Sequence, residues 1–332
     1  MNRESPASDF CVGPAEILAA VNRIAGHVLE TPLIAVPVLS ADAGCDIWLK
    51  CENLQYGAAF KSRGACNAVF ALSDAEARSG VVTHSSGNHA AALAHAARLR
   101  GIRAHIVMPE NSAPIKLNAV RALGVEPILC GSSTCDREEA CVRVQRHTGA
   151  TLIHPYDNPE VIAGQASIAI EILRQLPTVE VIVVLVGGGG LLAGTLLAVR
   201  MLVTSGALSS RVRVVAAEPE AADDTIRSLT AGRIQTPSRY DSVADGLRTQ
   251  VGNMTFPIIQ QLVDAVLPVS EAAILEATRD LIWRAKLVAE PSGAVTVGCI
   301  RQHSQEFQGK RVVAVISGGN LNPQLLREQL IP

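Results

Sequence analysis

The run Val179-Glu180-Val181-Ile182-Val183-Val184-Leu185-Val186-Gly187-Gly188-Gly189-Gly190-Leu191-Leu192 decides the fold. Apolar except for Glu180 and rich in β-branched residues, Val179 to Val186 reads as a strand buried on both faces, as in a parallel sheet covered by helices. The glycines break it, and Leu191 to Val203 resumes at helical spacing. Arg213 to Ala217 is the next strand. Strand, turn, helix and strand in this order predict a right-handed parallel crossover.

The same alternation spreads in both directions. Upstream lie a strand at Gly80–Thr83, an alanine-rich helix at Asn88–Arg100, a strand at Ala104–Met108 and a helix at Pro114–Leu123. A strand at Val125–Cys130, a helix at Glu138–Thr148, a strand at Thr151–Ile153 and a helix at Pro159–Leu176 complete this part. Pro14–Leu29 opens with proline at a first helical turn. Downstream come Ala265–Val269, a helix at Ser270–Leu287, the segment Gly293–His303, the strand Val312–Ile316 and the loop Ser317-Gly318-Gly319-Asn320. Gly232–Gly252 is rich in turn residues. The expected fold class is α/β.

Of 332 residues, 48% are hydrophobic and only 3% aromatic, so aliphatic side chains carry a sizeable core. The net charge of -2, without a basic stripe, argues against nucleic acid as a partner. No apolar run reaches the roughly 18–20 residues of a membrane span. The first residues, Met1 to Pro6, carry no apolar signal core, which predicts a cytoplasmic protein. Eight cysteines without a Cys-x-x-Cys pair read as reduced, small hydrophobes.

Chemistry in such sheets gathers at the carboxyl ends of the strands. Three turns there stand out. Ser85-Ser86-Gly87-Asn88-His89 opens a helix and suits an anion, or simply caps the helix. Gly187 to Gly190 expose amides to which a phosphate can come close. A tight turn explains one or two of those glycines but not four. Gly188, Gly190 and Ala193, with Glu218 ending the next strand, also satisfy a dinucleotide-binding pattern. Ser317 can bond a ligand or cap a turn. The acidic loop Glu218-Pro219-Glu220-Ala221-Ala222-Asp223-Asp224 suits a hard cation, or is a solvated loop ahead of a helix. Lys61, in Phe60-Lys61-Ser62-Arg63-Gly64-Ala65, stands where a loop enters a helix, either as a surface charge or as a buried amine held for chemistry.

Taken in order, Glu52-Asn53-Leu54-Gln55, Phe60 to Ala65, Ser85 to His89, Gly187 to Leu191, Ala244-Asp245-Gly246, Glu290-Pro291-Ser292-Gly293-Ala294 and Ser317 to Asn320 resemble the serine/threonine dehydratases and serine racemases. These are pyridoxal-phosphate enzymes of fold type II, and the resemblance runs from about residue 14 to 325. It implies two open parallel-sheet domains with the cofactor in the cleft between them: 1–75 with 157–332 as the large one, and 76–156 as the small one. Lys61 would form the Schiff base, with Phe60 against the cofactor ring. Gly187, Gly188, Gly189, Gly190 and Leu191 would hold the phosphate, Asn88 the ring hydroxyl and Ser317 the pyridine nitrogen, with Gly246 also at the cofactor. Ser85, Gly87 and His89 would meet the substrate carboxylate, and Ser86 would face the substrate opposite Lys61. Glu218, the Ala222 carbonyl and Asp224 would bind Mg2+ or Ca2+. The implied reaction is β-elimination from a β-hydroxy amino acid, giving a 2-oxo acid and ammonia. Racemisation on the same site is the alternative, and a non-catalytic dinucleotide-binding protein is the reading from another class. The partners implied are a small amino-acid substrate and a second copy in a homodimer.

Two departures from the family pattern bear on the substrate. Gly57-Ala58-Ala59 replaces the usual Thr-Gly-Ser before Phe60, and Ala90-Ala91 follows His89 where a glutamine is common. Fewer polar contacts predict a roomier pocket and a larger β-hydroxy amino acid; neutral drift in residues behind the pocket is the alternative.

Overall fold

The computed structural model describes residues 10–85, 87–208 and 211–331. Ser86, expected above as a catalytic residue, lies outside them. The strands in chain order are β1 (Leu33–Ala35), β2 (Asp46–Cys51), β3 (Val81–His84), β4 (Ala104–Pro109), β5 (Ile128–Cys130), β6 (Thr151–Leu152), β7 (Val181–Leu185), β8 (Arg213–Pro219), β9 (Ala265–Val269) and β10 (Arg311–Ile316). They form a six-stranded sheet of order β1-β2-β10-β7-β8-β9 and a four-stranded sheet of order β5-β4-β3-β6. Only β1 and β2 pair antiparallel; the other pairings are parallel, as the alternation predicts.

The strand order places the site. From β7 the chain steps outward through β8 and β9, then returns to the other side of β7 as β10. From β3 it steps through β4 and β5 and returns beside β3 as β6. Each sheet therefore has a switch point, where loops after adjacent strands diverge and leave a crevice.

Every residue of β7 is buried, and the main core forms around it. Each such Val or Ile side chain contributes roughly 1.5–3 kcal/mol relative to exposure. The helices over this core meet backbone to backbone. A Cβ on Gly164, in helix Pro159–Gln175, would lie 2.7 Å from the Cα of Gly64, in helix Lys61–Ala71. A Cβ on Gly194, in helix Gly190–Thr204, would lie 2.6 Å from the carbonyl oxygen of Ile162. Only glycine fits at such crossings, and together they fix three helices against one another.

Several boundaries differ from expectation. The first helix ends at Ile24 rather than Leu29, because Gly26 turns to φ +82° and Ala25 bridges to Val28. β5 begins only at Ile128, after Pro127, which has no N–H to donate to a ladder. The helix expected from Glu138 begins at Thr134, because Ser133 and Asp136 form a reciprocal capping box. Helix Asp224–Ala231 follows the acidic loop as one reading of it expected, whereas helices Pro37–Ala43 and Thr255–Leu262 and the edge strand β1 were not foreseen. All are short, and β1 is half-buried to exposed.

Candidate active site

Lys61 is the first residue of its helix, and the loop before it is zipped to the loop after β10. The Phe60 N–H donates to the Ser317 carbonyl (3.0 Å), the Gly319 N–H donates to the Ala58 carbonyl (2.9 Å), and Ala59 bridges Gly318. Gly57 and Ala58 both take positive φ (+68° and +53°) to make the bend. Behind the helix, buried Arg63 donates to Glu52 (2.8 Å) and Glu171 (2.5 Å), and buried Lys50 donates to Glu171 (2.5 Å). Two cations against two carboxylates leave the network neutral, and removing one member would strand a buried charge. The network pins the start of the helix, so the lysine emerges in a fixed place. Its amine is enclosed and donates to the Pro155 carbonyl (2.8 Å), and burial pushes it down to about 8. Its Nζ lies 5.0 Å from the centre of the Phe60 ring. The surface-charge alternative for Lys61 is thereby excluded.

The cleft around this amine is lined by Phe60, Ser85, Gly87, Asn88, His89, Gly187 to Leu191, Gly246 and Ser317. These candidates thus come together from both switch points. Gly187 to Gly190 follow β7 and run into helix Gly190–Thr204. Among the described residues, no protein acceptor meets the amides of Gly187 to Leu191. More of these glycines are packed against neighbours than the one or two expected of a tight turn. A Cβ on Gly188 would lie 2.3 Å from the Tyr156 ring, one on Gly189 2.8 Å from Thr255, and one on Gly187 3.0 Å from Leu247, while Gly189 also has φ +87°. Packing alone asks for several of these glycines. The case for an anion rests on the open amides at a helix start.

Among the described residues, no side chain of the turn after β3 caps its helix. Gly87 is the N-cap, and the Ser85 hydroxyl accepts only from the Gly87 N–H (3.3 Å). Gly87, Asn88 and His89 at this helix start line the cleft. Asn88 donates through Nδ2 to Glu290 (2.5 Å) and accepts at Oδ1 from Asn320 (2.9 Å). His89 is 1% exposed, and neither ring nitrogen has a hydrogen-bond partner among the described residues. Burial, then the neighbouring Lys61 amine, holds it neutral. His84 and His154 pack edge to face 5.3 Å apart and are pushed down to about 4 and 3, chiefly by burial. The two histidines that line the cleft, His84 and His89, are therefore uncharged, with His154 packed against His84.

The sequence reading passed over several residues at the cleft: Tyr156 and Pro155 after β6, Lys116, Arg137, Asp245 and Glu290. Lys116 reaches across from the small-sheet side to pair with Asp245. Glu290 was in a quoted motif but had no role, and its carboxyl is pushed up to about 7 by burial.

The acidic loop lies apart from the cleft lining. Glu218 accepts from the Thr225 N–H (2.7 Å) and the Ile226 N–H (3.0 Å), and Asp224 accepts from the Val251 N–H (2.8 Å). Both acids are fully buried, and Asp224 Oδ1 has no partner among the described residues. Burial pushes Glu218 up to about 7, and burial with the facing Glu218 pushes Asp224 up to about 8. Among the described residues, no group of three His, Cys, Asp or Glu side chains is arranged to hold a metal ion, but the expected set needs only two carboxylates and the carbonyl of buried Ala222. An orphaned carboxylate oxygen beside a second buried acid fits a divalent cation. The solvated-loop alternative is excluded by this burial, and a ribose role for Glu218 is disfavoured because it stands apart from the cleft that Gly187 to Gly190 line.

The open amides, the enclosed amine with Phe60 beside it and the converging Asn88 and Ser317 fit a phosphate-bearing aldehyde ring. Comparison with known proteins points the same way. A family model described as pyridoxal-phosphate dependent enzyme matches residues 24–318. A beta-hydroxyaspartate dehydratase of Paracoccus denitrificans is 42% identical over 308 residues, 92% of this chain and 96% of its own. A serine racemase of Oryza sativa subsp. indica is 40% identical over 319 residues, 95% of this chain and 92% of its own. The structure of maize serine racemase superposes with TM-score 0.90 at 39% identity, covering 96% of this chain and 97% of that one.

Proposed function

The chain belongs to the pyridoxal-phosphate dependent enzymes, and on that footing we propose that it is an ammonia-lyase for a β-hydroxy amino acid with a second, distal carboxylate, the simplest being β-hydroxyaspartate. The products are the 2-oxo acid and ammonia: water leaves on elimination and is taken up again on hydrolysis. The observation that carries this reading is the guanidinium-bearing Arg137 in the lining of the cleft that holds Lys61, where Lys116 is already paired with Asp245. The helix amides and the Ser85–His89 turn suit one carboxylate, and a guanidinium suits the other. The Paracoccus relative, named for such a substrate, supports it. The expected larger substrate is kept, with charge added.

The cofactor, when bound, supplies an electron sink for the substrate α-carbon. The rest falls to the chain. The amides of Gly187 to Leu191 would hold the phosphate, Asn88 would donate to the ring hydroxyl, and uncharged Ser317 would serve the ring nitrogen. The Lys61 amine, lowered to about 8, is partly unprotonated near neutral pH and takes the α-proton on its own face. The neutral His84, His89 and His154 do not compete for the substrate's carboxylates as charges would. Ser86 would act from the opposite face, and the serine racemase relative supports racemisation as the second reading. Glu218, Ala222 and Asp224 are proposed to hold Mg2+ or Ca2+. The division of strands between the sheets supports domains 1–75 with 157–332 and 76–156. A cytoplasmic homodimer remains part of the proposal. Among the described residues, no helix is long and apolar enough to cross a membrane.

The test is a side-by-side assay of 3-hydroxyaspartate isomers, L-serine and L-threonine, reading both the 2-oxo acid and the opposite enantiomer. Hydroxyaspartate should win on kcat/KM by about tenfold or more. Equal or faster turnover of serine or threonine would sink the reading, and inversion outrunning 2-oxo acid release would make the enzyme a racemase.

A further inference from the structure

Glu290 has no part in the chemistry above, yet it is 2% exposed and its carboxyl faces the cleft beside Asn88, Ser292 and Ser317. It is the N-cap residue of helix Pro291–Gln302, but its side chain makes no capping hydrogen bond. Local helix stability therefore does not explain a buried acid here, where an isolated carboxyl is costly.

The hydrogen bonds around it have only one consistent direction. Asn320 Nδ2 donates to the Gly57 carbonyl (2.9 Å), which can only accept, so Asn320 presents its nitrogen on this side. The same nitrogen donates to Asn88 (2.9 Å), so Asn88 turns its oxygen to Asn320 and its nitrogen to Glu290. One Asn88 N–H is then taken by Glu290 (2.5 Å), and the other is left for a ligand in the cleft. A Cβ on Gly318 would lie 2.2 Å from the same Glu290 oxygen, so the carboxyl is also wedged in place. Asn88 starts a helix on the small-sheet side, whereas Glu290 and Asn320 belong to the large-sheet side.

We propose that Glu290 is a positioning residue: with Asn320 it fixes the carboxamide of Asn88 so that one N–H is presented to the ring hydroxyl of pyridoxal phosphate. This rests on the family assignment and is independent of which amino acid is the substrate. Loss of the acceptor lets the Asn88 amide turn, and the bound ring loses a defined partner.

The experiment is titration of the cofactor-stripped protein with pyridoxal phosphate, read by absorbance and by visible circular dichroism, in wild type, Glu290→Ala, Glu290→Gln and Asn320→Ala. Glu290→Ala should weaken cofactor binding about tenfold and reduce the dichroism per bound chromophore. Glu290→Gln, whose amide oxygen still accepts from Asn88, should return affinity to within about threefold of wild type. Asn320→Ala should reduce the dichroism with Glu290 untouched, so the proposal stays testable even if Glu290→Ala does not fold. Unchanged affinity and dichroism in Glu290→Ala or Asn320→Ala would overturn it. So would Glu290→Gln binding the cofactor no better than Glu290→Ala, since charge and not acceptance would then matter. A wild type that takes up no pyridoxal phosphate would overturn the family premise along with it.

Discussion

After β7 and β10 the chain supplies glycines, open amides and Ser317. From the end of β3 and after β6 it supplies His84, His89 and Tyr156, and the neighbouring helices add Lys116 and Arg137. The topological device is the same in both sheets, but the surroundings differ. β7 is buried throughout, whereas β5 is largely exposed and β6 half-buried. One switch point is built of backbone and set in a deep core, which suits a cofactor that never changes. The other adds mostly side chains on a smaller sheet, where, Asn88 apart, substrate preference can change without disturbing the anchor.

The strongest way to break this contrast is Gly188→Ala. Its Cβ meets the Tyr156 ring at 2.3 Å, so something must shift. We expect a loss of about 1–3 kcal/mol of stability and about a hundredfold in pyridoxal-phosphate affinity, measured by thermal melts and titration. Arg137→Ala should do the reverse. The KM for hydroxyaspartate rises about ten- to a hundredfold, while serine kinetics and the visible band stay within about twofold. A lost band in Arg137→Ala would erase the division of labour.

A cation effect comes next. In the cation-free fold Glu218 and Asp224 keep their protons up to about pH 7 and 8, whereas in the unfolded chain they release them near 4.5 and 3.8. The fold binds more protons across that window, so its stability falls as pH rises through it. A bound cation removes this loss. Adding Mg2+ or Ca2+ should therefore raise Tm by a few degrees at about pH 8 and by much less at about pH 5.5. Equal shifts at both pH values would count against a cation there. The smallest effect is expected from Ala58→Gly. Ala58 has φ +53°, so glycine should relieve strain and add about 0.5–1 kcal/mol in denaturant melts, with the cofactor spectrum unchanged.

How much of this could be read in advance follows the same division. The run Val179 to Gly190 announced a parallel sheet and a ligand loop, because a strand buried on both faces leaves a continuous apolar signal. β6 has two residues, too few for a periodic signal of its own, so the loop carrying His154, Pro155 and Tyr156 went without a function. Lys116 and Arg137 sit on helices with mixed polar faces, where a cation reads as solvated surface; only the fold turns them into the cleft. The orphaned Asp224 oxygen was equally invisible, because burial of an acidic loop depends on what packs over it.

The glycine crossings of helix Pro159–Gln175 carry one more consequence. Gly64 lies one turn into the helix that starts at Lys61, and Gly194 one turn into the helix that starts at Gly190. Both press on the same intervening helix at backbone distance. The span from reactive amine to phosphate seat is thus gauged by main-chain thickness, a quantity that mutation of ordinary side chains does not alter. A designer could rebuild the substrate wall freely and expect that gauge to hold.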